Sequence, residues 1–266
     1  MIFKTLALAA VTVWLAVLAL PDNRLHLVVC DVGQGDAILV SYKTTQMLID
    51  GGPNSAVLGC LADHMPFYDH RIEVVMLTHP QADHLNGLIE VLKRYTVLEF
   101  VRSDVENNTD GFRELMGLNA GRKVYAGDII QFLISPAQLS HFQFRVLWPP
   151  RGLESREIND YSIVGKLSFG DFDALLTGDA GVLAPPEPAE VLKVPHHGSK
   201  YGMTADWLSR VSPYTAVISA GRRNSYGHPT EEILKILRDE GTKILRTDQD
   251  GDVEIISDGS KYWIKN

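Results

Sequence analysis

The chain has 266 residues, enough for one large domain or two small ones, and its 45% apolar content suits a chain that buries a core. Acidic residues outnumber basic ones, and the formal net charge of −8 excludes the overall basic character of a tight, nonspecific nucleic-acid binder. It leaves a nuclease open, because bound cations and local basic patches offset net charge.

From Ile2 to Leu20 the residues are nearly all apolar, interrupted by Lys4, Thr5 and Thr12, and the run ends at Pro21-Asp22-Asn23-Arg24. That length matches a bilayer-spanning helix. A cleaved signal peptide competes, but no small-x-small cleavage site stands before Pro21. Residues 1–21 are therefore assigned as a transmembrane helix or uncleaved signal anchor, and residues 22–266 as one folded domain. Lys4 places the short N-terminal side in the cytoplasm by the positive-inside tendency, with Arg24 on the other flank opposing it. The folded domain is then expected on the extracytoplasmic side.

Beyond the anchor, Leu25 to Cys30 reads as a strand, Asp31-Val32-Gly33-Gln34-Gly35-Asp36 as a tight turn, and Ala37 to Tyr42 and Gln46 to Ile49 as further strands. Ser55 to His64 suits a helix, followed by a strand from Glu73 to Leu77, a helix from Asp83 to Arg94, a strand from Val97 to Val101 and a helix from Asp110 to Leu118. Strands are expected at Val124 to Phe132, Phe142 to Leu147, Ser162 to Phe169 and Phe172 to Leu176, with Gly170-Asp171 as a hairpin turn. The last third alternates: strand Val191 to Val194, helix Thr204 to Arg210, strand Thr215 to Ser219, helix Thr230 to Asp239. Short strands follow near Lys243 to Leu245, Val253 to Ile256 and Tyr262 to Ile264. Two mixed halves, each a run of strands followed by βα units, predict an α+β fold of αββα sandwich type. Cys30 and Cys60 permit at most one disulfide and form no C-x-x-C pair, and they are read as small apolar fillers.

The polar clusters fall where strands end. Thr78-His79-Pro80-Gln81-Ala82-Asp83-His84 puts two imidazoles and a carboxylate directly after the apolar run Val74 to Leu77, and neutral imidazole and carboxylate suit divalent first-row metals. A polar loop whose histidines cap a helix is the plainer reading of any one of them, but three ligand types together favour a metal. Thr177-Gly178-Asp179 follows Ala174-Leu175-Leu176, where Asp179 either bridges metals or caps a helix. Pro195-His196-His197-Gly198-Ser199 follows Val191 to Val194, and Tyr226-Gly227-His228-Pro229 precedes the helix at Thr230.

Taken together these blocks resemble the metallo-β-lactamase fold, and more narrowly the soluble domain of ComEC-type DNA-uptake channels. The resemblance rests on D-V-G-Q-G-D-A at Asp31 to Ala37, L-I-D-G-G at Leu48 to Gly52, T-H-P-Q-A-D-H, N-x-x-S at Asn159 to Ser162, L-L-T-G-D at Leu175 to Asp179 and V-P-H-H-G-S at Val194 to Ser199. It implies a first metal site at His79 and a second at Asp83, His84 and His196, with Asp179 bridging and Asp50 supporting the ligand loop. His197 and His228 would lie near a scissile phosphate as general acid or phosphate contacts, and Ser199 would hold phosphate oxygens. Two departures weaken the first site. Gln81 stands where such domains carry a second His or an Asp, and Asn159 replaces a third histidine, leaving weak oxygen donors for zinc or a harder ion such as manganese.

The implied activity is metal-dependent hydrolysis of phosphodiester bonds in DNA, expected in single-stranded form, by attack of a metal-bound water on phosphorus, with Asp83, His197 and His228 as the catalytic residues. Lys200, Arg222 and Arg223 are candidate phosphate contacts or a solvated face, and Tyr201 and Tyr226 candidate stacking platforms or packing residues. The implied partners are DNA, the membrane and a separate multi-helix channel protein. Rival readings are a surface phosphodiesterase or esterase on a small phosphorylated or phosphorylcholine-bearing substrate, and a tethered binding module with a degraded metal site.

Overall fold

The computed structural model describes residues 21–135 and 138–265. The assignment of residues 1–21 to a membrane helix or signal anchor lies outside the described residues except for Pro21. Among the described residues no helix is long and apolar enough to cross a membrane.

Two sheets pack face to face with helices outside. The first has eight strands, in the order β15-β14-β1-β2-β3-β4-β5-β6. These are β1 (Leu25–Val29), β2 (Ile38–Tyr42), β3 (Thr45–Ile49), β4 (Arg71–Leu77), β5 (Thr96–Arg102), β6 (Arg122–Lys123), β14 (Val253–Ser257) and β15 (Tyr262–Lys265). The second has seven, in the order β13-β12-β11-β10-β9-β8-β7. These are β7 (Ile129–Ser135), β8 (Gln138–Trp148), β9 (Val164–Phe169), β10 (Phe172–Leu176), β11 (Val191–Lys193), β12 (Thr215–Ile218) and β13 (Lys243–Arg246). Helices α1 (Val57–His64), α2 (Ala82–Arg94) and α3 (Asp110–Leu118) cover the first sheet, and α4 (Ala205–Val211) and α5 (Glu231–Asp239) the second. A four-residue helix, α6 (Thr247–Asp250), follows β13.

Strand alternation builds this layering. In β1, Leu25, Leu27 and Val29 join the core between the sheets while Val28 and Cys30 face the helices; in β4, Val74 and Met76 face the core and Val75 and Leu77 the helices. Helix α2 buries Leu85, Leu88, Ile89 and Val91, a one-sided stripe at helical spacing.

The αββα sandwich expected from sequence is therefore the observed architecture, with three corrections. The closing hairpin β14–β15 returns to the first sheet beside β1 instead of extending the second half. The stretch expected as one strand from Val124 divides at the turn Ala126-Gly127-Asp128, where Gly127 has φ +96°. The two cysteines are not free fillers: Cys30 at the end of β1 and Cys60 on α1 form a disulfide, their Cα atoms 5.9 Å apart.

Strand direction decides where the functional groups gather. Strands β3, β4, β5 and β6 are mutually parallel, as are β10, β11, β12 and β13. Parallel strands need crossovers, so each C-terminal end opens into a loop at the same edge, where open α/β sheets place their sites. The loops after β3, β4, β10, β11 and β12 carry Asp50, His79, Asp179, His196 with His197, and Ser219 respectively.

Candidate metal centre

Asp50 is the hub. It is fully buried, with φ +59°, and one oxygen accepts the Thr78 backbone N–H at 2.7 Å. The other accepts the Thr78 hydroxyl at 2.6 Å and His84 Nδ1 at 2.8 Å. Because the Thr78 hydroxyl donates to Asp50, its oxygen is left to accept from His79 Nδ1 at 3.1 Å. His197 Nδ1 donates to the Ser219 carbonyl at 3.0 Å.

Each of these three imidazoles is thus pinned at Nδ1, and a ring held that way has Nε2 left to meet a ligand, as a lone pair whenever the ring is neutral. In all three, Nε2 is buried with no hydrogen-bond partner, as is Asp179 Oδ1. Buried polar atoms are rarely left so, and donors of this kind suit a divalent cation. His84 Nε2 lies 3.4 Å from Asp179 Oδ2 and 4.0 Å from Asp83 Oδ2. His197 Nε2 lies 3.4 Å and 3.6 Å from the same two oxygens. Asp83, His84, Asp179 and His197 each offer a donor within 4.8 Å of the others, an arrangement able to hold a divalent cation.

Charge accounts for the titration of these groups. Burial opposes charge on His84, but the Asp179 and Asp50 carboxylates hold its pKa well above the ordinary value. Burial likewise opposes charge on His197, and Asp179 and Asp36 raise it well above the usual range. The two rings in turn hold Asp179 well below the carboxylate range against the effect of burial. His79 is pushed down to about 3 by burial and by the neighbouring His84, so it stays a neutral donor. A cation in the cluster would take over the charge now carried by protons on His84 and His197.

This geometry redistributes the sequence-predicted roles. His197, expected beside a phosphate, joins the four-donor cluster in the place given to His196. His196 Nε2 stands farther off, 3.8 Å from Asp179 Oδ2 and 3.5 Å from Asn159 Nδ2. Both residues are in the left-handed region, at φ +50° and +55°, and His197 is buried while His196 is half-buried. Asn159 sits in a 3₁₀ turn, Ile158–Tyr161, with its side-chain oxygen buried and unpaired. Gln81 caps α2 through its backbone carbonyl, which accepts from His84 and Leu85, and its side chain makes no hydrogen bond among the described residues. His228, after which the peptide to Pro229 is cis, stacks on Tyr226 and faces the His196 ring at 5.7 Å. Its pKa is lowered by burial and by His196. Ser199 is buried and accepts the Tyr201 N–H at 3.5 Å, while Lys200 is exposed with its ammonium 4.9 Å from the centre of the Tyr201 ring.

Sequence reasoning missed the support behind the centre. Lys193, in the run read only as a strand, is fully buried and ion-paired with buried Asp36. Its ammonium also donates to the Gly178 carbonyl at 3.1 Å and lies 3.9 Å from Asp179 Oδ1. Asp36 ends the D-V-G-Q-G-D turn, which is stitched to the second sheet by Ser219 Oγ donating to Gly35 and by the Gly221 N–H donating to Gln34 Oε1. Gly35 has no room for a side chain, since a Cβ there would come within 2.1 Å of the Asp83 carbonyl. At Gly51 it would come within 2.4 Å of the Leu88 nitrogen, which is why L-I-D-G-G lets α2 dock so closely.

The motif order, the two-sheet fold and this centre have a counterpart among known proteins. Residues 30–222 match the metallo-beta-lactamase superfamily. The chain belongs to that superfamily. Among curated relatives, ComE operon protein 3 of Bacillus subtilis (strain 168) is 28% identical over 255 residues, covering 84% of this chain and 32% of that protein. Competence protein ComA of Neisseria gonorrhoeae is 29% identical over 245 residues, covering 88% of this chain and 32% of its own length. The chain thus spans about a third of the length of these relatives. Among solved structures, the metallo-beta-lactamase fold protein YhfI from Bacillus subtilis superposes with a TM-score of 0.54 at 13% identity, covering 91% of this chain and all of the other, a likeness of fold.

Proposed function

We propose that this protein is a metal-dependent phosphodiester hydrolase that degrades DNA in connection with DNA uptake. The observation that carries the reading is that buried His84 and His197, each pinned at Nδ1 with Nε2 unpaired, converge with Asp179 and Asp83, beside a third such imidazole at His79, in a chain related to competence proteins. Asp83, His84, Asp179 and His197 would hold one divalent ion, zinc or manganese, and His79 with Gln81 and Asn159 a weaker second. Such an ion supplies a water acidic enough to be a nucleophile and a positive charge beside the phosphate oxygens.

The chain's own groups do the remaining work. Asp50 and the Ser219 carbonyl fix the tautomers of His84 and His197. His228 and His196 stand at the edge of the centre as neutral imidazoles, and a bound phosphate raises the pKa of a ring beside it, suiting His228 to protonate the leaving oxygen. Ser199 and Lys200 are the proposed phosphate contacts. The apolar run at residues 2–20 is proposed as a membrane anchor, and the Cys30–Cys60 disulfide supports an oxidising, extracytoplasmic compartment for the domain. A separate multi-helix channel protein is the proposed partner.

The test is degradation of labelled single-stranded DNA by the full chain with manganese, zinc or chelator, beside Asp179→Ala. Metal-dependent cleavage lost in the variant supports the proposal. No cleavage with any metal, from folded protein that hydrolyses a small phosphodiester, moves the substrate to the small-phosphoester class; metal binding without any hydrolysis leaves a binding module.

A further inference from the structure

The two ends of the sandwich differ. The metal-centre loops leave the C-terminal ends of β3, β4, β10 and β11. At the opposite end, Leu25 at the start of β1 pairs with Tyr42 at the end of β2, and Tyr42 pairs with Thr45 at the start of β3. Because β3 and β4 are parallel, the loop leading into β4 lies at that same end. This loop carries Phe67 and Tyr68, 79% and 49% exposed, with their rings edge to face at 5.3 Å. Pro21, the residue that follows the apolar run, lines one surface pocket with Met65, Pro66 and Phe67. Beside it the Arg24 guanidinium lies 4.9 Å over the Trp263 ring.

An exposed aromatic pair is out of place in water but matches the boundary of a bilayer, where aromatic rings and arginine collect. The sequence provides the reason for a boundary here, since residues 2–20 are long and apolar enough to span and join the domain at this spot. We propose that the domain rests on a lipid bilayer by this end, with Phe67 and Tyr68 seated in the interfacial layer beside the emerging anchor, so that the metal centre opens away from the membrane. The inference rests on the anchor reading above. The seven residues of β4 span about 20 Å, so with the strand upright the centre stands about that far from the surface. Substrate then reaches it from the aqueous side, over Lys200 and Tyr201, and not along the membrane plane. The charges lining the pocket are mixed, with Asp22, Asp63 and Glu254 against Lys43 and Lys265 and with Arg24 nearby in sequence, so the seat does not depend on anionic lipid.

The full chain, reconstituted in phosphatidylcholine vesicles containing lipid with a nitroxide high on its acyl chain, tests this. A fluorophore is attached in turn through Tyr68→Cys, through Asp63→Cys on the same pocket, and through Tyr201→Cys at the metal-centre end. Retention after alkaline carbonate is measured on the same samples. The expected result is retained protein, with fluorescence at positions 68 and 63 quenched about twofold or more and that at 201 unchanged. Retained protein unquenched at both 68 and 63 overturns the proposal and assigns the aromatic pair to a protein partner; quenching at 201 overturns the orientation. Release by carbonate overturns the anchor reading, and the proposal with it.

Discussion

Lys193→Met tests how the two halves of the centre are joined. Lys193 lies on β11 of the second sheet and Asp36 on the loop after β1 of the first, and both are buried. At contact distance and an effective dielectric of ~20, two unit charges attract by about 5 kcal/mol, much of it offset by their desolvation. Removing one partner forfeits the attraction and keeps the other's desolvation, so Lys193→Met should cost ~3–5 kcal/mol. Asp36→Asn leaves the ammonium its Gly178 carbonyl and the more distant Asp179, and should cost somewhat less. The double variant buries neither charge, and its loss should fall short of the sum by at least ~2 kcal/mol. Urea unfolding followed by far-ultraviolet circular dichroism measures all four proteins, with chelator in excess so that metal binding adds nothing to the native state. Additive losses would refute the reasoning, because they would mean that the two charges do not act as a pair.

Three further outcomes follow from the geometry. Asp50→Ala should weaken divalent-metal binding ~10–100-fold, read by competition with a chromophoric chelator, since it frees His84 and Thr78 together. In the same assay His197→Ala should lose tight binding while His196→Ala keeps most of it, the reverse of the roles expected from sequence. Away from the centre, the Asp252 and Glu254 carboxylates, accepting from the His64 ring, raise His64 to about 9. A raised folded-state pKa stabilises fully below the unfolded value near 6.5 and ceases to do so as pH rises through about 9. The thermal midpoint should therefore fall across that window by on the order of 5 °C, and His64→Asn should flatten the fall.

Much of the fold was legible because its signals are local. Apolar runs that end in polar clusters mark parallel strands and their loops, and Asp83 to Arg94 differs from the observed α2 by one residue. The ligand types could be read for the same reason. What could not be read depends on contacts between distant segments. Nothing in the spacing of Cys30 and Cys60 shows that α1 lies over the end of β1, and their disulfide exists only because it does. Lys193 resembles a lysine on an exposed strand face, yet β11 sits inside its sheet with β10 and β12 on either side. A charged residue in a short apolar strand just before a histidine pair was the available signal, since an inner parallel strand is covered on both faces. Adjacent His196 and His197 cannot be told apart by order alone; the Ser219 carbonyl, brought alongside by β12, holds the His197 ring toward Asp179, a contact between distant segments.

The centre is built across the seam between the sheets, and this makes metal binding measurable without any substrate. The loops after β3 and β4 contribute Asp50 and His79, the first turn of α2 contributes Asp83 and His84, and the loops after β10 and β11 contribute Asp179 and His197. An ion held by Asp83, His84, Asp179 and His197 therefore ties the first half of the chain to the second, and it does so only in the folded state. Native-state binding stabilises by an amount set by free metal over Kd, about 2.7 kcal/mol at a hundredfold excess over Kd. Manganese or zinc should raise the thermal midpoint of the wild-type chain by roughly 5–10 °C under that condition. Asp179→Ala, which removes the oxygen nearest Nε2 of both His84 and His197, should lose most of the rise. A wild-type midpoint indifferent to every divalent metal would mean that the bare Nε2 atoms face no cation, and the hydrolase reading would fall with them.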